Sequence, residues 1–195
     1  LLQIHNATAD DLIDGPLIEA LVEARARGLV EHLGASVYGP TDALVALRHD
    51  ELEVVQVAFN LLDQRAAQEV FLEADGQGQQ TRKKALLIRS ALLKGVLTNR
   101  RRQLPEHLTG LNRAADRAER WASKSKDDLT TGALRFCLSQ REIGSVLIGV
   151  RSIEELETAL RAAEAPPLPR HRLSDAGPLA LEDEDLIDPR FWNIP

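Results

Sequence analysis

Five short apolar runs in this chain each end in polar residues able to bind or position a ligand. His5-Asn6 closes the first and Ser36-Val37-Tyr38 the second. Gln56 lies inside the third, which ends near Asn60; Arg89-Ser90 and then Lys94-Gly95 follow the fourth; Gly149, Arg151 and Ser152 close the fifth. In parallel βα folds, function sits at the carboxyl ends of the strands. Imidazole, hydroxyl, amide, guanidinium and glycine, one set per strand end, are what a cofactor pocket built at such a rim requires. The remaining candidates carry less. His32, His49, His107 and His171 have no ligand spacing, so no metal site is expected. Cys137, the single cysteine, lies on an apolar helical stripe and reads as core rather than nucleophile. One cysteine cannot form an internal disulfide, which fits a reducing cytoplasm.

The elements that must position these residues alternate along the chain. The apolar runs are Leu1–Asn6, His32–Tyr38, Leu52–Leu62, Ala85–Leu93 and Ser145–Ser152. Their length and polar or glycine boundaries predict strands buried on both faces. A helical period follows each. It runs through Leu17, Ile18, Leu21 and Val22, then through Ala43, Leu44 and Leu47, with Thr41 as a candidate cap. It returns in Leu111, Ala114, Ala118, Trp121 and Ala122, followed by Ala133, Leu134, Phe136, Cys137 and Leu138. The last helix opens at Ser152 with Glu155 three residues on, the spacing of a reciprocal capping box, and carries the stripe Ile153, Leu156 and Leu160. Gly76–Lys84 reads as a polar loop, and Ala165–Pro178 as an extended, proline-rich connection. The tail holds a short acidic helix and then Phe191 and Trp192, which are expected to pack back on the body.

Buried strands alternating with helices predict an α/β fold with a parallel sheet. Five βα units in 195 residues fall short of an eight-stranded barrel of about 250 residues. The rival is an open, doubly wound five-stranded sheet, whose nucleotide would sit on a glycine-rich first turn. No GxGxxG is present, so the better reading is a single domain over residues 1–195 that forms the C-terminal part of a (β/α)₈ TIM barrel. The chain has no methionine and opens inside an apolar run, so Leu1 is not expected to be the natural start. Composition is that of a globular protein, 44% hydrophobic and 28% charged, with a net charge of −6 that favours neither nucleic acid nor anionic membrane. No apolar run reaches the roughly 18 residues of a membrane helix.

Read in order, LLQIHN, GLVEHLGASVYGP, VVQVAFNLLDQR, RSALLKGVLT and ALRFCLSQREIGSVLIGVRSIEELETAL resemble the second half of an aldo/keto reductase. The arginine in RSALLKG, the DQR and the closing DPRFW are similar to a bacterial branch often found near polysaccharide biosynthesis genes. The resemblance implies reduction of an aldehyde or ketone, with NADP(H) expected over NAD(H). It implies that His5 is the catalytic histidine, hydrogen-bonding the substrate carbonyl; the bland alternative is a satisfied histidine at a strand end. It implies that Ser36 and Gln56 hold the nicotinamide carboxamide, with Val37 standing where the family has asparagine. Arg89 takes the place of an aromatic ring under the nicotinamide, since a guanidinium plane also stacks on rings. Ser90, Leu92 and Gly95 match the pyrophosphate loop. Arg100 matches a further phosphate contact, the alternative for Arg100-Arg101-Arg102 being a solvated loop. Gly149, Arg151, Ser152 and Glu155 match the loop that binds the adenosine 2′-phosphate, and Arg151 beside a helix N-terminus makes an anion site. The family has glutamine at Glu155, which otherwise only caps its helix, and an acidic-asparagine pair at Thr158 and Ala159.

The family's aspartate, tyrosine and lysine belong to earlier strands, and Tyr38 follows the wrong strand to replace the tyrosine. Two readings follow. In one, this chain is part of a complete carbonyl reductase acting on a small molecule. In the other, it is a non-catalytic nucleotide-binding or structural module. A lone five-unit sheet exposes apolar edges, so the second reading requires a homo-oligomer or another partner chain.

Overall fold

The computed structural model describes residues 1–13, 15–78, 83–98, 100–101 and 104–193. Arg102, residues 79–82 of the expected polar loop and the last two residues of the tail lie outside the described residues. Five strands form one sheet in the order β1-β2-β3-β4-β5. They are β1 Leu2–Ala7, β2 Leu33–Val37, β3 Val54–Ala58, β4 Ala85–Arg89 and β5 Ile143–Val146. Strands β1 to β4 pair in parallel. Helices fill the connections: α1 Ala9–Ile13, α2 Pro16–Ala26, α3 Gly39–Arg48, α4 Glu69–Ala74, α5 Thr109–Ser123, α6 Leu129–Leu138 and α7 Ile153–Glu164. Two short helices follow, α8 Arg170–Ser174 and α9 Glu184–Ile187. This is the expected α/β architecture. The chain divides into two compact units. One comprises Leu1–Ala58, Arg65–Arg89 and Glu142–Ser145; the other comprises Phe59–Gln64, Ser90–Arg141 and Val146–Pro195.

In the first unit, alternation along the strands sorts the side chains between the two faces of the sheet. Ile4, Leu33, Ala35, Val37, Val55, Val57, Leu86 and Ile88 are buried, as are Leu12, Ile18, Leu21, Ala43, Ala46, Leu47, Val70 and Phe71 on α1 to α4. The opposite positions, Val54, Gln56, Leu87 and Arg89, are only half-buried. Of these strands, only β2 is therefore buried on both faces, against the expectation for every run: β3 and β4 carry Gln56 and Arg89 on the second face, and polar side chains keep it open. Thr41 does not cap α3. Tyr38 occupies the N-cap position without a side-chain capping bond, and Pro40 sits in the first turn, where its missing N–H costs nothing. Asp42 of α3 instead accepts from the Ala9 N–H at 3.0 Å. Leu17 is exposed, so the buried stripe of α2 is Ile18 and Leu21.

In the second unit, α5 buries Leu111, Ala114, Ala115, Ala118, Trp121 and Ala122, and α6 buries Leu129, Ala133, Leu134, Phe136 and Cys137. Gly132 permits their close approach: a Cβ there would lie 2.5 Å from that of Ala122. Phe136 stacks on Phe59 with centroids 5.3 Å apart and meets Trp121 edge-on at 6.0 Å. Asp128 caps α6 by accepting from the Thr131 N–H at 2.7 Å. The proline-rich stretch does not stay extended to Pro178. Pro169 opens α8, and Arg172 of that helix lies over Trp121, whose Nε1 donates to the Arg172 carbonyl at 3.2 Å. The acidic helix of the tail is α9. Trp192 packs back, fully buried, whereas Phe191 stays exposed.

The fifth run is displaced. Strand β5 ends at Val146, and the apolar residues Leu147, Ile148 and Val150 beyond it are exposed rather than buried. As the last strand of the sheet, β5 has a neighbour on one side only, so fewer backbone bonds hold this run in strand geometry.

Candidate functional site

In the first unit, polar residues form a row across three strands. Ile4 pairs with Ala35 and Ala7 with Val37, so His5 and Asn6 together oppose Ser36. This is a β-bulge, a device found at barrel rims and beside active sites. Asn6 takes the left-handed conformation, φ 54°, that the bulge requires. Ser36 pairs in turn with Gln56, and Gln56 with Leu87. His5 is exposed and has no hydrogen-bond partner among the described residues. Ser36 is 3% exposed, yet its Oγ has no hydrogen-bond partner. A buried hydroxyl left unsatisfied costs about 1–3 kcal/mol, and a bound amide would relieve that cost.

Arg89 ends β4. Its Nη2 donates to the Val37 carbonyl at 3.0 Å, and its Cζ lies 3.9 Å from the centroid of the Tyr38 ring. The guanidinium is thus held over the Tyr38 ring by cation–π contact. Sequence reasoning placed Tyr38 at a strand end but gave it no role; its contact with Arg89 depends on a residue two strands away, which no local pattern shows. Val37 is fully buried and contributes its carbonyl to Arg89.

The second unit holds the loop after β4. Ser90, Leu93, Lys94 and Gly95 all have positive φ, from 43° to 92°. Such a run is costly for residues with a Cβ and survives only where surrounding structure enforces it. Asn60 supplies part of that enforcement. It is fully buried, its Nδ2 donates to the Ser90 carbonyl at 3.1 Å, and its Oδ1 accepts from the N–H groups of Leu62 and Asp63, both at 2.9 Å. The Thr98 hydroxyl donates to the Gly95 carbonyl at 2.6 Å and accepts from the Arg100 N–H at 3.2 Å. Replacement of Asn60 by alanine is expected to cost about 2 kcal/mol, because it leaves buried N–H and C=O groups without partners. Denaturant unfolding measures it, and a change below about 0.5 kcal/mol would contradict this role.

A cleft of about 290 Å³ opens in the same unit, lined in part by Leu92, Thr98, Arg100, Gly149, Glu155 and Thr158. Arg100 does not wait free for a phosphate: its Nη2 pairs with Glu155 Oε1 at 2.8 Å. The expected capping box is only half formed. Ser152 Oγ accepts from the Glu155 N–H at 3.3 Å, but the Glu155 carboxylate accepts from the Arg151 N–H, at 2.8 Å, because it is also drawn toward Arg100. The Ser152 hydroxyl also holds the neighbouring Glu154 carboxyl below its usual pKa. Arg151 and Gly149 are exposed, and a Cβ at Gly149 would meet nothing within 4 Å. Cys137 is fully buried, and burial pushes its thiol far above the usual range, so it is no nucleophile. Among the described residues no group of His, Cys, Asp and Glu could hold a metal ion.

Comparison with known proteins bears directly on this arrangement. A profile of the aldo/keto reductase family matches residues 1–175. The chain belongs to the aldo/keto reductase family. The uncharacterized oxidoreductase YqkF of Bacillus subtilis is 25% identical to this aldo/keto reductase chain over 179 residues, 85% of the chain and 55% of the relative. Among solved structures, the holo form of aldo-keto reductase AKR11C1 from Bacillus halodurans superposes with a TM-score of 0.73 at 25% identity, covering 92% of this chain and 58% of that one. The glycerol dehydrogenase AKR11B4 from Gluconobacter oxydans shares the fold with a TM-score of 0.67 at 16% identity, over 96% and 58% of the two chains. The chain therefore spans little more than half the length of these relatives, and its sheet matches part of an aldo/keto reductase barrel.

Proposed function

We propose that the protein carrying this chain is a nicotinamide-dependent oxidoreductase that reduces a small aldehyde or ketone. The observation that carries this reading is the row of His5, Ser36 and Gln56, with the buried Ser36 hydroxyl unpartnered. Ser36 and Gln56 hold the nicotinamide carboxamide, and Arg89, held over Tyr38, offers its guanidinium to the ring. Ser90, Leu92 and Gly95 lie along the pyrophosphate, and Gly149, Arg151, Ser152 and Glu155 along the adenosine. A nicotinamide held in this way supplies the hydride. His5 donates a hydrogen bond to the substrate carbonyl oxygen, which fixes the carbonyl's orientation and stabilises the charge that develops on that oxygen. The family's aspartate, tyrosine and lysine have no counterpart in these 195 residues, so no proton donor is assigned among them. The family resemblance points to NADP(H), and the single buried cysteine to a reducing cytoplasm.

Ser36→Ala tests the carboxamide contact. Loss of one hydrogen bond of about 1 kcal/mol predicts roughly fivefold weaker dinucleotide binding with the fold retained. Fluorescence titration of the natural-length protein measures it, and unaltered affinity would remove Ser36 from the site.

A further inference from the structure

We infer that Glu155 turns the cleft against a 2′-phosphate, so that the protein takes NAD(H) in preference to NADP(H); the inference rests on the dinucleotide reading above. Among the described residues, the ionisable side chains on the cleft wall are Arg100, Arg101, Glu119, Asp128, Glu154 and Glu155. Among these, four carboxylates stand with two guanidinium groups, an excess of two negative charges. Both guanidinium groups are engaged. Arg100 pairs with Glu155 at 2.8 Å; Arg101 pairs with Asp116 at 2.8 Å and also with Glu119.

The N–H groups at the head of a helix are the usual donors to a bound phosphate. The Arg151 N–H, one residue before the N-cap Ser152 of α7, already donates to Glu155, and the Ser152 hydroxyl takes the Glu155 N–H. A phosphate monoester carries close to two negative charges near neutrality. To be held by Arg100 and the Arg151 N–H it would have to displace Glu155 from both, and then bear the repulsion of the released carboxylate and of Glu154. A ribose diol asks for none of this, because its neutral hydroxyls donate to a carboxylate where it stands. The Arg151 side chain is exposed and is not part of the cleft wall, so it does not offset the wall's charge from within. The Arg100–Glu155 pair is itself more than a third exposed, which keeps the effect moderate.

The test is calorimetric titration of the natural-length protein with NAD⁺ and with NADP⁺, for wild type, Glu155→Gln and Glu155→Ala. The glutamine keeps an oxygen acceptor for the Arg151 N–H and so preserves the cap. Wild type is expected to bind NAD⁺ about tenfold more tightly than NADP⁺, and each variant to shift that ratio about tenfold toward NADP⁺. Tighter binding of NADP⁺ by wild type, or a ratio that neither variant moves, overturns the inference while leaving the dinucleotide reading intact. Binding of neither nucleotide overturns both.

Discussion

Replacement of His5 by alanine is expected to lower kcat/KM for carbonyl reduction by about a hundredfold or more, with dinucleotide affinity within twofold of wild type. The asymmetry follows from where the residue sits. His5 lies in the bulge of β1 opposite Ser36, exposed, with no hydrogen-bond partner among the described residues. Its removal therefore costs the fold little, and the groups proposed to hold the nicotinamide belong to β2, β3 and β4. A donor aimed at a developing oxyanion acts mainly in the transition state, so its loss appears in turnover rather than in cofactor binding. Steady-state kinetics paired with a binding titration separate the two. Equal activity in wild type and variant would reduce His5 to a solvated strand-end residue.

The largest effect on stability is expected at Trp192. Its indole is fully buried, Nε1 donates to the Leu186 carbonyl at 3.0 Å, and its own carbonyl accepts from His107 Nε2 at 3.0 Å. Trp192→Ala is expected to cost about 3–5 kcal/mol, since it removes a large buried ring and leaves the Leu186 carbonyl without its indole donor. Phe191→Ala, at an exposed neighbour, is expected to cost less than about 0.5 kcal/mol. Denaturant unfolding of the two variants gives the contrast; similar losses would mean that the tail is not anchored through the indole.

The core of each βα unit was legible because apolar runs report burial. Their ends were not, because burial is not conformation. Phe59, Leu61 and Leu62 lie in an apolar run and are buried, but as loop residues beyond the end of β3, and Leu93 is buried in a 3-10 turn beyond β4. Leu147, Ile148 and Val150 show the opposite failure: they are apolar, yet exposed beyond the edge strand. In the site, Ser36 and Gln56 were legible as strand residues, and the register then placed them side by side. The partners of the charged residues were not legible. Arg100 and Glu155 are 55 residues apart, and Arg89 reaches Tyr38 across an intervening strand. Charge pairing of this kind depends on side-chain reach in the folded chain, which sequence spacing does not encode. Asn60 closed an apolar run as one more polar residue, and only its three hydrogen bonds show that it shapes the loop bearing Ser90 and Gly95.

The proposed role of this chain, as the dinucleotide-binding part of a carbonyl reductase, is tested by following the absorbance of reduced nicotinamide while the natural-length protein is mixed with NADH or NADPH and a panel of small aldehydes and ketones. Saturable oxidation of the nicotinamide that requires a carbonyl compound and falls sharply in His5→Ala is expected. Absence of both dinucleotide binding and carbonyl-dependent oxidation would contradict it.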